Sequence, residues 1–280
     1  MYTPKLYAFA DEASKEMDGQ IQAMLRNGLN GLEIRGVDGE NVSKITVEKA
    51  KEVRKKLDDN GLITWSIGSP IGKIKLTDDL PEHLDTFRHT LEIAHILGAE
   101  NLRMFSFYTK GFDPADCRGQ VMDWMGQLLE VGADSGINLC HENEKGIYGD
   151  TADRCLEILT AFPTLKGIFD PANFVQCGED TIRGWELLKD KIYYLHIKDA
   201  IESKVVPAGK GNGNVAYIVR EFLKKGGEAM TLEPHLKVFD GLKELEAPGE
   251  ESVVSMYTYP TSDAAFDAAC NALKTILEGI

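Results

Sequence analysis

Short runs of β-branched, aromatic and aliphatic residues recur along the chain, and a longer stretch with helical periodicity follows each of them. The runs have the length of strands and begin roughly 30 residues apart, which is the spacing of a repeated strand–helix unit. Each run is therefore predicted to be a buried strand. The runs are KLYAFA (5–10), GLEIRGV (31–37), ITWSIGS (63–69), NLRMFSF (101–107), INLCHEN (137–143), KGIFDPA (166–172), IYYLHIKD (192–199) and EAMTLEPH (228–235).

The stretches between the runs carry the start and stop signals of helices. One of them opens on Thr46, mixes charges along its length and stops at Gly61. In the next, Leu84, Phe87 and Leu91 recur at helical spacing, and a glycine again marks the end. Helices are predicted over 17–29, 46–61, 80–99, 115–135, 151–162, 180–190, 214–226 and 262–278.

Strict alternation of strands and helices with short connections predicts a parallel sheet covered by helices. Eight units in 280 residues match the α/β class, and within it a single (β/α)8 TIM barrel. The barrel is predicted to form one domain over residues 1–280. An open, doubly wound sheet is the alternative. No GxGxxG motif follows the first run, so the barrel is favoured.

The connection between the eighth strand and the last helix, residues 236–260, is unusually long. Connections of this length in compact domains are usually functional or disordered. In a barrel it would lie on the catalytic face, where it could serve as a lid or as a contact in a homo-oligomer. A flexible acidic insert is the alternative.

Composition and charge restrict the classes of partner. The chain is 43% hydrophobic and 27% charged, as ordinary soluble proteins are. Its net charge of -14 repels phosphate backbones, so nucleic acid is not an expected partner. The N-terminus lacks a signal-peptide pattern, no apolar run is long enough for a membrane span, and the five cysteines lack CxxC spacing. We expect a cytoplasmic protein with no membrane partner.

Acidic and imidazole side chains stand at the predicted C-terminal ends of four consecutive strands. Glu142 ends the fifth strand, Asp170 the sixth, His196 the seventh and Glu233 the eighth. The chemistry of a (β/α)8 barrel is carried at this end of its strands. Three carboxylates and one imidazole favour one divalent ion, preferably Mn²⁺, Co²⁺ or Mg²⁺, with Zn²⁺ or Fe²⁺ also suited. Four independent polar strand ends are the alternative.

Alternation along the strands decides which neighbours share this site. If Glu142 faces the barrel interior, His141 faces the helices, and Glu144 lies outside the site on the loop. Glu33 and Arg103 are expected to face inward on the second and fourth strands. We expect those two to pair there for structural reasons.

Four motifs at these strand ends resemble those of the xylose-isomerase-like TIM-barrel superfamily, the sugar phosphate isomerase/epimerase family. They are HENE, FDPAN, LHIKDA and TLEPH, and their order and spacing extend over essentially the whole chain. The resemblance implies that the metal-binding roles of epimerase members fall on Glu142, Asp170, His196 and Glu233. The segment VPAGKGNG (206–213) resembles the family's Val-Pro-Gly-x-Gly turn near the substrate.

Some positions differ from the family pattern. Asn173 stands where many epimerases have a substrate-binding histidine, and Lys204 is the nearest match to an arginine before the Val-Pro turn. Lys198, in the HIKD form of the strand-seven motif, looks closer to dehydratase-like branches. These three residues, together with His235 and Trp65, are predicted to contact the substrate.

The site chemistry and the resemblance together predict a metal-dependent sugar isomerase or epimerase of the ketose 3-epimerase type. Its substrate would be a small sugar or sugar phosphate, and Glu142 and Glu233 would exchange a proton with it. No clear phosphate cradle is present, although GKGNGN offers backbone amides and Lys210. The main alternative is a metal-dependent lyase or dehydratase that acts on a keto-sugar or inosose in the same fold.

Two remoter functions are also alternatives. The resemblance implies that an AP endonuclease of this superfamily would carry a trinuclear zinc site with several extra histidines. Here His83, His89 and His95 share one predicted helix instead of standing at strand ends. A non-catalytic sugar-binding barrel would hold no metal after purification.

Overall fold

Eight parallel strands close into a barrel in the computed structural model, which describes residues 4–238 and 257–280. The first strand pairs with both the second and the eighth, through Tyr7 opposite Gly31 and Lys5 opposite Ala229. The sheet of the barrel therefore has no edge, which confirms the predicted TIM barrel and excludes the open sheet. The strands are β1 (Lys5–Ala8), β2 (Gly31–Ile34), β3 (Ile63–Ile67), β4 (Asn101–Met104), β5 (Asn138–Glu142), β6 (Lys166–Phe169), β7 (Ile192–Ile197) and β8 (Ala229–Leu232).

The predicted helices are all present, with ends that differ from the prediction by three residues or fewer. The signals that predicted them act as expected: the Thr46 hydroxyl accepts a hydrogen bond from the Lys49 amide, and Gly28 and Gly98 end their helices with φ of 63° and 72°. The helices are α1 (Met17–Asn27), α2 (Val47–Asp59), α3 (Leu80–Leu97), α4 (Pro114–Gly132), α5 (Ala152–Ala161), α6 (Pro171–Gln176), α7 (Thr181–Leu188), α8 (Val215–Lys224) and α9 (Ser262–Glu278).

The short helix α6 is absent from the prediction, which assigned its first residues to the sixth strand. The Asp170 carboxylate accepts a hydrogen bond from the Asn173 amide, and Pro171 occupies the first helical position. Both features start a helix directly at the strand end. The strand therefore stops at Phe169, and Asp170 is fixed as a helix cap.

Two predicted strands also end early and turn into hairpins. The second run divides into β2 and a hairpin of Gly36–Val37 with Glu40–Asn41. The seventh divides into β7 and a hairpin of Asp199–Ile201 with Lys204–Val206. Both hairpins follow the C-terminal ends of barrel strands, so they add to the face where the candidate residues lie.

The barrel interior and the layer between barrel and helices are separate apolar regions. Met230 and Leu232 of β8 pack in the outer layer, while Ala229 packs inside, as alternation predicts. Within the barrel, the rings of Tyr7 and Trp65 stack with centroids 4.8 Å apart. The interior cluster consists of Tyr7, Trp65, Cys140, Ile168, Tyr194 and Ala229. It forms an apolar floor beneath the polar strand ends.

The long connection of 236–260 lies mostly outside the described residues, since 239–256 are not among them. Its two described ends meet where the Lys237 ammonium donates to the Tyr259 carbonyl at 3.1 Å. The roles as lid or oligomer contact stay predictions. Within 4–238 and 257–280, no helix has both the length and the apolar character of a membrane span.

Candidate active site

The four strand-end residues meet in one buried cluster at the C-terminal mouth of the barrel. Glu142 is the last residue of β5, His196 lies near the end of β7, and Asp170 and Glu233 directly follow β6 and β8. Each can offer one ligand atom such that all four atoms lie within 4.8 Å of one another. Strands β5–β8 are neighbours in the barrel, so their ends meet although Glu142 and Glu233 are 91 positions apart in the sequence.

His196 is held between two carboxylates. Its Nδ1 lies 2.9 Å from Glu142 Oε1, and its Nε2 lies 3.1 Å from Glu33 Oε2. Glu33 is itself oriented by the Tyr194 hydroxyl, which donates to Oε1 at 3.0 Å. Burial opposes a charge on His196, but the carboxylates of Glu142 and Glu33 outweigh it and raise its pKa to about 10. The imidazole is therefore fixed with Nδ1 toward the other candidate ligands.

Glu142 is oriented by two further groups besides the imidazole. The Arg103 guanidinium donates to Oε2 at 3.1 Å, and the side-chain amide of Asn173 donates to Oε1 at 3.3 Å. Arg103 also donates to the Gly68 carbonyl. Glu33 and Arg103 thus both face inward as expected. Their direct contacts are with other residues, since Arg103 contacts Glu142 and Glu33 contacts His196. The two still interact through charge, because Arg103 contributes to lowering the pKa of Glu33.

Glu233 and Asp170 share the ammonium group of Lys198. The Lys198 Nζ lies 2.9 Å from Glu233 Oε2 and 3.0 Å from Asp170 Oδ2. Burial raises the pKa of Asp170 to about 7; the Lys198 charge opposes this shift, and the nearby Glu233 and Glu142 carboxylates add to it. The Asp170 carboxyl group is therefore held beside two other buried carboxylates, those of Glu233 and Glu142.

The donor set fits one divalent cation. Carboxylate oxygens and one imidazole nitrogen are the ligands that Mn²⁺, Co²⁺ and Mg²⁺ accept, and Zn²⁺ and Fe²⁺ accept them as well. The fit is supported by the ligand atoms within 4.8 Å of one another and by the accumulated buried carboxylates. The ammonium of Lys198 shows that this region already attracts a positive charge. Ligation by His196 would release its proton, since a metal-bound imidazole nitrogen is unprotonated.

A group of charged side chains around Arg35 lies beside Glu233 and was not predicted from the sequence. Arg35 donates to both Asp11 oxygens at 2.8 and 2.9 Å, to Glu12 at 3.1 Å and to Glu233 at 3.2 Å. Burial raises the pKa of Glu12 to about 8, against the attraction of Arg35. Alternation along β2 could have found Arg35, because it lies two positions beyond the inward-facing Glu33.

The residues predicted to contact substrate fall into two groups. Asn173, Lys198 and His235 lie at the cluster; the His235 amide donates to Glu12, and its Nε2 lies 3.6 Å from Glu233 Oε1. Lys204 is exposed on the second hairpin.

Trp65 lies at the opposite end of the barrel, where it lines a cavity of about 370 Å³ with Tyr193 and Ala229 at the N-terminal ends of β7 and β8. Its ring also stacks on Tyr7 in the interior floor. This position contradicts a role at the mouth, and it arises because an inward-facing residue at the middle of β3 lies below the strand ends.

Residues near the motifs that were expected to lie outside the site do so. His141 faces away from the interior and contacts the Ser106 hydroxyl at 3.0 Å. Glu144 pairs with Lys73 at 2.9 Å on the loop. The three histidines of α3 instead contact backbone groups: the Gly72 amide, the Ile45 carbonyl and the Ser135 carbonyl.

Comparison with known proteins places this barrel in a family. The family model described as xylose isomerase-like TIM barrel matches residues 21–253. D-allulose 3-epimerase from Methylomonas sp. in complex with D-allulose has a TM-score of 0.73 at 18% identity, with 99% of each chain covered. The probable 3-DHS dehydratase AsbF from Bacillus anthracis has a TM-score of 0.72 at 17% identity, covering 96% of this chain and 98% of that one.

A third similar structure, the IOLI protein with a binding zinc atom, has a TM-score of 0.73 at 13% identity and 98% coverage of both chains. At these identities the likeness shows the fold alone. No curated protein matches the sequence. Since the family model matches well over half of the residues, the chain belongs to the xylose isomerase-like TIM barrel family.

Proposed function

We propose that the protein is a divalent-metal-dependent enzyme that moves a proton on a keto sugar, as a sugar isomerase or ketose 3-epimerase does. The observation that carries the proposal is the convergence of three carboxylates and one imidazole, with ligand atoms within 4.8 Å of one another. Glu142, Asp170, His196 and Glu233 would hold one ion, preferably Mn²⁺, Co²⁺ or Mg²⁺. A similar barrel solved in complex with D-allulose, and another solved with zinc, support this assignment.

A bound divalent ion would polarise the carbonyl of a keto sugar and so acidify the neighbouring C–H bond. Glu142 and Glu233 would then be the residues that remove and return the proton. They come from β5 and β8, which β6 and β7 separate in the barrel, so they can approach one carbon from two sides. A proton returned to the same carbon gives an epimer, and one returned to the adjacent carbon gives an isomer.

The contacts of the two glutamates suit this role. Arg103 and Asn173 hold the Glu142 carboxylate in one orientation, and Arg35 and Lys198 hold that of Glu233. A fixed carboxylate loses little freedom when it meets the reacting carbon. Asp170 would act as a ligand alone, since it also caps α6.

Asn173, Lys198 and His235 would donate hydrogen bonds to substrate hydroxyl groups, because they lie next to the glutamates.

A lyase that removes water from a keto sugar is the second candidate. The observation that favours it is the Lys198 ammonium, which lies 2.9 Å from Glu233 and could protonate a departing hydroxyl group. A similar barrel is that of a probable 3-DHS dehydratase. The two reactions share proton removal and differ in the product. Elimination yields a conjugated ketone with a new ultraviolet absorbance, whereas epimerisation does not.

The proposal is tested by solvent-hydrogen exchange in D₂O over a panel of keto sugars, followed by mass spectrometry. Glu142→Gln and Glu233→Gln keep the size of the side chain and remove its proton-accepting charge. Each should slow the incorporation of deuterium by about 10²–10⁴-fold. Metal content is measured on the same samples, because both residues are also candidate ligands.

Glu228→Gln is the matched control, since Glu228 is an exposed residue at the opposite end of β8. It should exchange hydrogen as the unmodified protein does. Undiminished exchange in either of the other variants removes that glutamate from the catalytic pair. No exchange with any sugar by the metal-loaded protein overturns proton transfer as the function.

A further inference from the structure

The glycine-rich segment after the second hairpin forms a nest of backbone amides that the protein's own Asp199 fills. The amides of Ala200 and Gly213 donate to Asp199 Oδ1 at 2.9 and 2.8 Å. Those of Gly209 and Gly211 donate to Oδ2 at 2.9 Å each. Four converging N–H groups form the kind of concavity that binds phosphate in many proteins. Here the anion belongs to the chain itself.

The fit between the carboxylate and its nest leaves no space for a second anion. A Cβ on Gly211 would lie 2.4 Å from Asp199 Oδ1, and one on Gly213 would lie 2.7 Å from the same atom. Asp199 is fully buried. Two further amides of the segment are also engaged: Lys210 donates to the Pro207 carbonyl and Asn212 to that of Ala200. The segment is therefore closed to phosphate.

The charges at the mouth lead to the same conclusion. In the described part of the chain, the carboxylates joined by ion pairs around the cluster are Asp11, Glu12, Glu33, Glu142, Glu144, Asp170 and Glu233. The cations among them are Arg35, Lys73, Arg103, Lys145 and Lys198. Carboxyl groups therefore outnumber the lysine and arginine side chains at the mouth, which disfavours the binding of a phosphate group.

The cations at the mouth are also already engaged. Lys73 contacts Glu144, and Lys198 contacts two carboxylates. Lys145 donates to the Gln176 side chain at 3.5 Å.

From these observations we infer that the substrate is an uncharged keto sugar or polyol, and that Asp199 excludes phosphate esters by filling the amide nest beside the site. The inference rests on the proposed function for its reaction. Of the two substrate classes that the sequence left open, it favours the free sugar over the sugar phosphate. It also gives Asp199 a positioning role, as the residue that fixes the 207–213 segment through the amides of Gly209, Gly211 and Gly213.

The first test compares keto sugars with their phosphate esters in the same deuterium-exchange assay, with metal-loaded protein. The neutral sugar should exchange with a kcat/KM at least about 100-fold higher than its ester, since an unmatched charge at a closed site is strongly unfavourable. An ester that exchanges equally or faster overturns the inference. If neither member of any pair exchanges, the proposed function fails, and the second test alone decides the present inference.

The second test needs no turnover. Metal-free protein is titrated with inorganic phosphate, against sodium chloride of equal ionic strength, and the thermal midpoint is followed. The thermal midpoint of the unmodified protein should show no saturable rise with phosphate concentration. A saturable rise overturns the inference, because it reveals a phosphate site that the Asp199 carboxylate does not fill.

Asp199→Ala empties the nest, and its lowered thermal midpoint should recover when phosphate or sulfate is added. Asp190→Ala, at an exposed ion pair with Lys225, is the matched control and should not respond. A response in the control equal to that of Asp199→Ala overturns the assignment of the nest. If Asp199→Ala does not fold, the titration of the unmodified protein still decides between the two outcomes.

Discussion

At the scale of single residues, His196 shows how little of a side chain's surroundings can be read from its neighbours in sequence. Its two ring nitrogens contact Glu142 and Glu33, which are 54 and 163 positions away. Alternation along β7 correctly predicts that His196 faces inward. The partner of Nε2 could not be predicted, because it depends on how strands β2 and β7 face each other across the closed barrel.

Glu33→Gln should weaken divalent-metal affinity by about 10–100-fold, the usual effect of removing the partner of a histidine ligand. The Glu33 carboxylate accepts a hydrogen bond from Nε2–H and so leaves Nδ1 free to bind the ion. A glutamine amide can present its NH₂ group instead and favour the other tautomer. Competition with a fluorescent chelator measures the change, and Glu228→Gln is the control. Equal affinity in Glu33→Gln and the unmodified protein would show that Glu33 does not orient the imidazole.

At the scale of elements, helix signals were the most reliable part of the sequence, since they depend on local chemistry. Thr46, Gly28 and Gly98 act in the structure as the pattern indicates. The strand ends were less predictable. The predicted runs include Gly36–Val37 and extend to Asp199, but in both places the chain leaves the barrel to form a hairpin. Pattern alone does not separate a barrel strand from the hairpin that follows it.

The loop between β3 and α3 depends on a neutral histidine. The Gly72 amide donates to His83 Nε2 at 2.8 Å, and Gly72 has φ of 88° where a Cβ would lie 2.1 Å from the Phe105 carbonyl oxygen. Burial lowers the pKa of His83 to about 4. Protonation of the imidazole would remove the acceptor of this hydrogen bond.

This loop should make the free energy of unfolding depend on pH. In the unfolded chain His83 titrates near 6.5, whereas the folded chain keeps it neutral down to about 4. The unfolded state therefore binds more protons in this window, and stability falls as pH falls through it, by up to about 3 kcal/mol. His83→Gln keeps an acceptor for the Gly72 amide but has no group that titrates in this range. Its free energy of unfolding should therefore lack this part of the dependence on pH. Urea unfolding of both proteins at several pH values between 7 and 4 measures the difference; identical slopes would contradict the assignment.

At the scale of the whole molecule, the (β/α)8 barrel was predictable because eight similar units leave few ways to bury a parallel sheet. The barrel order then fixes which strand ends meet, and so Glu142, Asp170, His196 and Glu233 come together without any local signal. The charges around them were not predictable in the same way. Arg35 and Lys198 take partners from several strands, and Trp65 lies in the floor, not at the mouth.

A bound ion that joins four strands should stabilise the whole barrel. With free metal at about 100 times its Kd, the free energy of unfolding should rise by about 2.7 kcal/mol. Removal of the metal with a chelator should lower it by the same amount. Denaturant unfolding of metal-loaded and chelator-treated protein measures the difference. Equal stability with and without Mn²⁺ would indicate that the folded chain does not bind it preferentially.

The central claim, one divalent ion held by four strand ends, is tested most directly by metal stoichiometry. Protein freed of metal is dialysed against Mn²⁺, and bound metal is counted by elemental analysis. The unmodified protein and Glu228→Gln should each bind one ion per chain, while Asp170→Asn and His196→Asn should bind far more weakly. Absence of saturable binding in the unmodified protein, or unchanged binding in both ligand variants, would contradict the account.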